Sequence, residues 1–107
     1  MSNSDLTLVS EARITTSLPA RRYLGQLCKH FQHKLPVTLS EDMSVGHIEF
    51  SAGACELSIG ENDRVLVMRA LAANAEELGR VEGVVGRHLE RFAFREDALA
   101  LDWKPAA

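Results

Sequence analysis

The chain has 107 residues, 46% of them apolar and 25% charged, with a formal charge of −3. This is the composition of one globular domain with its own core, and it excludes a disordered tail, a fibre and a helical membrane bundle, for which no apolar run is long enough. The acidic balance argues against general nucleic-acid binding, and the polar start, lacking a basic region before an apolar run, leads us to expect a cytoplasmic protein.

A single domain over residues 1–107 is expected, with residues 1–7 disordered. From Leu8 to Thr16 the chain alternates, with Leu8, Ala12 and Ile14 on one face and Val9, Glu11, Arg13 and Thr15 on the other, which reads as a strand. Ser17 is then placed to cap a helix whose first turn holds Pro19. Leu24, Leu27, Cys28 and Phe31 form the core-facing stripe of that helix, which runs to about Phe31 or Lys34 and cannot pass Pro36. Three or four short strands follow, around Val37 and Leu39, Ile48 and Phe50, Cys55 to Ile59, and Val65 to Ala70, the last two joined by a turn at Gly60-Glu61-Asn62-Asp63. Asn74 and Glu77 have the spacing of a helix start. A second helix is predicted from Ala75 to about Phe92 with the stripe Leu78, Val81, Val85, Leu89 and Phe92, and a last strand over Leu99–Trp103. Short loops between the middle strands imply hairpins, so the fold class is α+β, a two-layer sandwich of a mostly antiparallel sheet with both helices on one face, in the order β-α-β-β-β-β-α-β.

Cys28-Lys29-His30-Phe31-Gln32-His33-Lys34 invites a metal reading, since thiols and imidazoles ligate zinc and iron. Helical geometry opposes it. At about 100° per residue, Cys28 points away from both His30 and His33, which leaves only His30 and His33 as neighbours. Cys28 and Cys55 read as small core residues, reduced and inert. His88 sits on the flank of the second helix's apolar stripe, and Tyr23, His30 and Lys34 form a similar flank on the first. Two such flanks meeting above the sheet would make a ligand or acid–base seam. Gly79, Gly83 and Gly86 make a smooth stripe that suits close packing against the first helix near Gly25, or a ligand or second subunit lying along it. The glycine seam and the histidine seam are geometric alternatives.

Charge is segregated. Between Glu11 and Glu41 there are basic residues and no acid, whereas from Glu41 to Asp63 there are acids and no Lys or Arg. Arg21 and Arg22 stand in the first turn of a helix, where the dipole disfavours cations, so they are expected to meet carboxylates of the acidic strands or solvent, or else an anionic ligand or partner. No phosphate loop, zinc-protease motif or nucleophile elbow occurs.

Three segments carry a resemblance over about Ala12 to Trp103: Tyr23-Leu24-Gly25-Gln26-Leu27-Cys28-Lys29-His30-Phe31-Gln32-His33-Lys34, Gly53-Ala54-Cys55-Glu56-Leu57, and His88-Leu89-Glu90-Arg91-Phe92-Ala93-Phe94-Arg95-Glu96. Together they resemble the small bacterial family known as domain of unknown function 2218, although that family favours alanine where this chain has Gly79, Gly83 and Gly86. The family has no established activity. By association only, the resemblance implies a link to iron and siderophore handling, with a siderophore-interacting flavoprotein as a partner. The candidate ligand-binding residues are Tyr23, Cys28, His30, His33, Lys34, Cys55, His88, Arg91 and Arg95. The leading expectation is a non-catalytic binding or accessory module for a small anion such as a ferric siderophore, with no cofactor, no nucleic acid and no membrane. The alternatives are a metal or enzymatic site built from His30, His88 and a cysteine, and a structural homodimer.

Overall fold

The computed structural model of the protein describes residues 8–92 and 101–106. Alternation at the start of the chain becomes β1 (Leu8–Thr15), with Ser10, Ala12 and Ile14 buried on the inner face. It is followed by α1 (Ala20–Phe31), β2 (Val37–Leu39), β3 (Val45–Glu49), β4 (Gly53–Ile59), β5 (Val65–Ala72), α2 (Ala75–Phe92) and β6 (Lys104–Ala106). The strands form one sheet in the order β2-β3-β4-β5-β1-β6. Every neighbouring pair is antiparallel. α1 lies on β3, β4 and β5, and α2 on β5, β4 and β1. The core between the layers joins Ile14, Ile48, Leu57, Leu66 and Met68 of the sheet to Leu24, Leu27, Val81, Val85 and Leu89 of the helices. This is the expected two-layer α+β sandwich. Among the described residues no helix is long and apolar enough to cross a membrane.

Two boundaries differ from expectation. Ser17 does not cap α1. Pro19 occupies the position before the helix without a side-chain bond, and the cap comes from elsewhere in the chain. Asp63, in the 3₁₀ turn Glu61–Asp63 before β5, accepts the backbone N–H of Arg21 at 3.0 Å and pairs with the Arg21 Nε at 3.0 Å. The same guanidinium donates to the Asp42 carbonyl at 2.9 Å. The acidic middle of the chain therefore neutralises Arg21, at the end of a helix whose dipole welcomes a carboxylate.

The second difference is the last strand. Residues 101–103 are not strand, and pairing with β1 begins at Lys104. Pro105 is tolerated there because β6 is an edge strand with one side unpaired. Leu99 and Ala100, together with the expected loose segment 1–7, lie outside the described residues. The start of α2 is as read from the sequence, with the Asn74 side chain accepting the Glu77 N–H at 2.8 Å.

Candidate functional site

α1 ends at Phe31, and the turn that follows folds back so that the N–H groups of Lys34 and Leu35 both donate to the Phe31 carbonyl. This places Phe31, His33, Lys34 and Leu35 around the end of α1, facing the flank of α2 that carries His88. The rings of His30 and His88 approach to 5.0 Å between centroids, tilted by 46°. Phe31 lies against both, at 5.5 Å from His30 and 4.7 Å from His88. With His33, Lys34 and Leu35 they line a groove of about 400 Å³. Of the two geometric alternatives, the histidine seam is therefore the one that forms.

The imidazoles are differently held. The Val84 carbonyl, one turn back on α2, accepts a hydrogen bond from His88 Nδ1 at 2.8 Å. A carbonyl can only accept, so the proton sits on Nδ1 and the neutral ring keeps its lone pair on Nε2. His30 is exposed at the groove's edge. Desolvation against its neighbours, then the charges of His88, Arg91, His33 and Lys34, lower its pKa below the ordinary 6.5. The folded protein thus prefers neutral His30. As pH falls below 6.5 the unfolded chain takes up this proton more readily, so the His30 contribution to stability is complete above 6.5 and is lost toward the lower folded pKa. A ring-proton NMR titration is expected to give a His30 midpoint below 6.5 that rises in His88→Asn. An unmoved midpoint in that variant would show that the two rings are not coupled.

The other candidate residues separate cleanly. Tyr23, Cys28 and Cys55 are in the core, at 2%, 0% and 0% exposure. Tyr23 therefore does not share a surface flank with His30 and Lys34, and Lys34 lies beyond the end of the helix. Cys28 faces β3, where Gly46 leaves room for it: a β-carbon on Gly46 would stand 2.5 Å from the Cys28 sulfur. Burial pushes the Cys28 thiol up to about 11. Burial, then the neighbouring Cys28, raises that of Cys55 as well. Both stay protonated and unreactive near neutral pH. The cysteine of the metal or enzymatic alternative thus lies in the core, away from the imidazoles. Among the described residues no three His, Cys, Asp or Glu side chains gather as a metal-binding group. Arg91 is exposed on the last turn of α2, near enough for its charge to act on His30. Arg95 lies outside the described residues.

The glycines on α2 do not pack against α1. Gly25 is covered by Met43, Gly86 is near Leu101, and a β-carbon on Gly79 would meet nothing within 4 Å. Gly79 instead borders a second, larger cavity of about 570 Å³, whose apolar wall is Leu35, Phe50, Ala52 and Val84. No motif in the sequence marks Phe50 or Ala52 as a site residue. The alternation of Ile48 with Phe50 does place Phe50 on the helix side, but its position beside α2 comes from the tight turn between β3 and β4. A helix glycine with open space beside it lowers stability without a packing return. Gly79→Ala is expected to raise stability by about 1 kcal/mol, read as a higher urea midpoint at unchanged slope. A loss of stability would mean that a backbone contact, rather than open space, holds this position.

Residues 11–104 match a family described as an uncharacterized protein conserved in bacteria, domain of unknown function 2218. No curated protein matches the sequence. Among solved structures, the NMR structure of PA4090 from Pseudomonas aeruginosa is similar, with 33% identity and a TM-score of 0.70 over 92% of this chain and 97% of that one. The family model covers well over half of the sequence, and the chain belongs to the bacterial family of domain of unknown function 2218.

Proposed function

We propose that this protein is a non-catalytic binding module whose ligand is an anion seated in the groove between the end of α1 and α2. One observation carries the reading. His30, His33, Lys34 and His88 converge on an apolar-walled groove in a protein whose net charge is −3. No acid of the middle segment lines the groove: the Asp63 carboxylate is taken by Arg21, and that of Asp42 by Ser40 and Ser44. Lys34 puts a positive charge at this groove and Arg91 lies near it, and an anion is drawn to that charge on an otherwise acidic protein. Ferric siderophore complexes are often anionic, and the link to iron handling that the resemblance implies, by association only, makes them the first ligands to test. A siderophore-interacting flavoprotein in the cytoplasm is the first protein partner to test.

The experiment is titration with ferric catecholate and ferric hydroxamate complexes, followed by thermal melting. A native-state ligand at a hundred times its Kd adds about 2.7 kcal/mol of stability, on the order of ten degrees in Tm for a domain of this size. Lys34→Glu combined with His88→Ala should remove the effect. Unchanged melting with every complex and with the flavoprotein would end the iron reading.

A second reading has its own observation. His88 is oriented by the Val84 carbonyl with Nε2 left as an acceptor, as in histidines that ligate metals. Metal analysis of protein purified without a histidine tag tests it, and less than stoichiometric metal rejects it.

A further inference from the structure

We infer that the histidine groove and the larger cavity beside it form one continuous channel along α2, and that its occupant is a small amphipathic anion with an apolar chain or ring behind its acidic group. The inference rests on the anion-binding reading above and goes on to specify the ligand's shape.

The two cavities share Leu35 as a wall. Their floors are joined where Phe31 meets Phe50 edge to face, at 5.3 Å and 83°. They also lie on one flank of α2, where Val84 borders the larger cavity and its carbonyl holds His88 in the smaller. Each volume is in the range of small-molecule sites.

The chemistry is divided along the channel. Lys34, His33, His30 and His88 gather at one end. Phe50, Ala52, Val84 and Leu35 line the other part. These four are only partly buried, so their surfaces are available to an apolar group. The rim is cationic as well. Arg80 pairs with Glu76 at 3.2 Å, whereas Arg87 makes no ion pair among the described residues and places Nη1 beside Gly83. A hydrophilic anion would satisfy the charged end and leave the apolar wall wet. A neutral apolar molecule would leave the cations unanswered. An acid with an apolar body answers both. Gly79 and Gly83 carry no side chain into the space this body would take.

The probes are decanoate, kept below its micelle concentration, and inorganic phosphate as a charge-only control. Both are followed by amide chemical shifts in the wild type and in Gly79→Leu. This variant projects into open space and improves helix propensity, so it will fold, and a melting curve confirms that. Decanoate should shift Ala52, Gly83 and His88 together and saturate. Phosphate should shift only the region of His30 to Lys34 and His88. Gly79→Leu should weaken decanoate at least tenfold and leave phosphate unchanged. If phosphate binds but decanoate gains nothing from its chain, or Gly79→Leu affects both alike or neither, the channel is refuted and the anion site stands. If neither probe binds, both readings fall. If the wild type sediments as a dimer that Gly79→Leu dissociates, the channel is a self-association face and the inference is overturned.

Discussion

Gly53→Ala is expected to destabilise the protein by about 3 kcal/mol, the upper end of what overpacking costs. Gly53 opens β4 and sits opposite Ala72 in the β4–β5 ladder. Its backbone is not in the left-handed region, so the residue is not there for conformational freedom. It is there for clearance: a β-carbon would fall on the Leu71 carbonyl oxygen, with Leu71 C at 3.1 Å and Ala72 Cα at 3.2 Å behind it. These are backbone atoms of a neighbouring strand and have no rotamer to change. Relief requires β4 to move off β5 at its first residue. Gly53 also closes the turn with Phe50, donating its N–H to the Phe50 carbonyl at 3.2 Å and accepting the Phe50 N–H at 2.7 Å. Displacement there would carry Phe50 and Ala52 with it, so the variant should lose decanoate binding as well as stability. Urea unfolding measures the first effect. A loss below 0.5 kcal/mol, of the size common for surface changes, would show that the strand end yields freely.

Asp63→Ala is the second large effect, expected at about 2 kcal/mol. Loss of a capping carboxylate typically costs about 1 kcal/mol. Its pair with the Arg21 guanidinium adds less than a buried one would, since both side chains keep part of their surface in water, at 25% and 37%. Asp63 also has φ of 56°, a conformation that asparagine and aspartate tolerate better than alanine. Asp63→Asn keeps an acceptor for the Arg21 N–H and the favoured backbone, and should lose about half as much. Asp63→Gly relieves the backbone but removes the cap. The order expected from denaturation midpoints is wild type, then Asn, then Gly and Ala. Equal midpoints for Asn and Ala would show that the charge pair alone matters.

Much of this architecture was legible in the sequence because it rests on periodicity. The alternation of β1, the stripe of Leu24, Leu27, Cys28 and Phe31, and the capped start of α2 at Asn74 are local patterns that tertiary packing reinforced. Helical angles also placed Cys28 and His30 on different sides without any coordinates. What the sequence withheld depends on contacts across the chain. Ser17 is a good capping residue by type, yet the cap of α1 is Asp63, brought in by the turn before β5. Leu99–Trp103 alternates like a strand, whereas the hydrogen bonds to β1 run from Lys104, in a stretch with a proline that propensity disfavours. The glycine stripe was visible on α2, but a helical wheel cannot show whether another helix or open space lies opposite. The larger cavity needed Phe50 and Ala52, which the tight turn between β3 and β4 brings beside α2.

The sheet order also dictates a sequence of events in folding. β3, β4 and β5 are joined by short connections and can zip together locally. β1 must wait, because Thr15 pairs with Val65 and Val9 pairs with Ala106, near the other end of the chain. Closing such long loops is entropically expensive, and non-local pairing of this kind makes refolding slow for so short a chain. Until β1 arrives, the flank of β5 presents bare N–H and C=O groups to any passing strand. Concentrated refolding should therefore aggregate through that transient edge, whereas dilution gives the amino-terminal strand time to claim it.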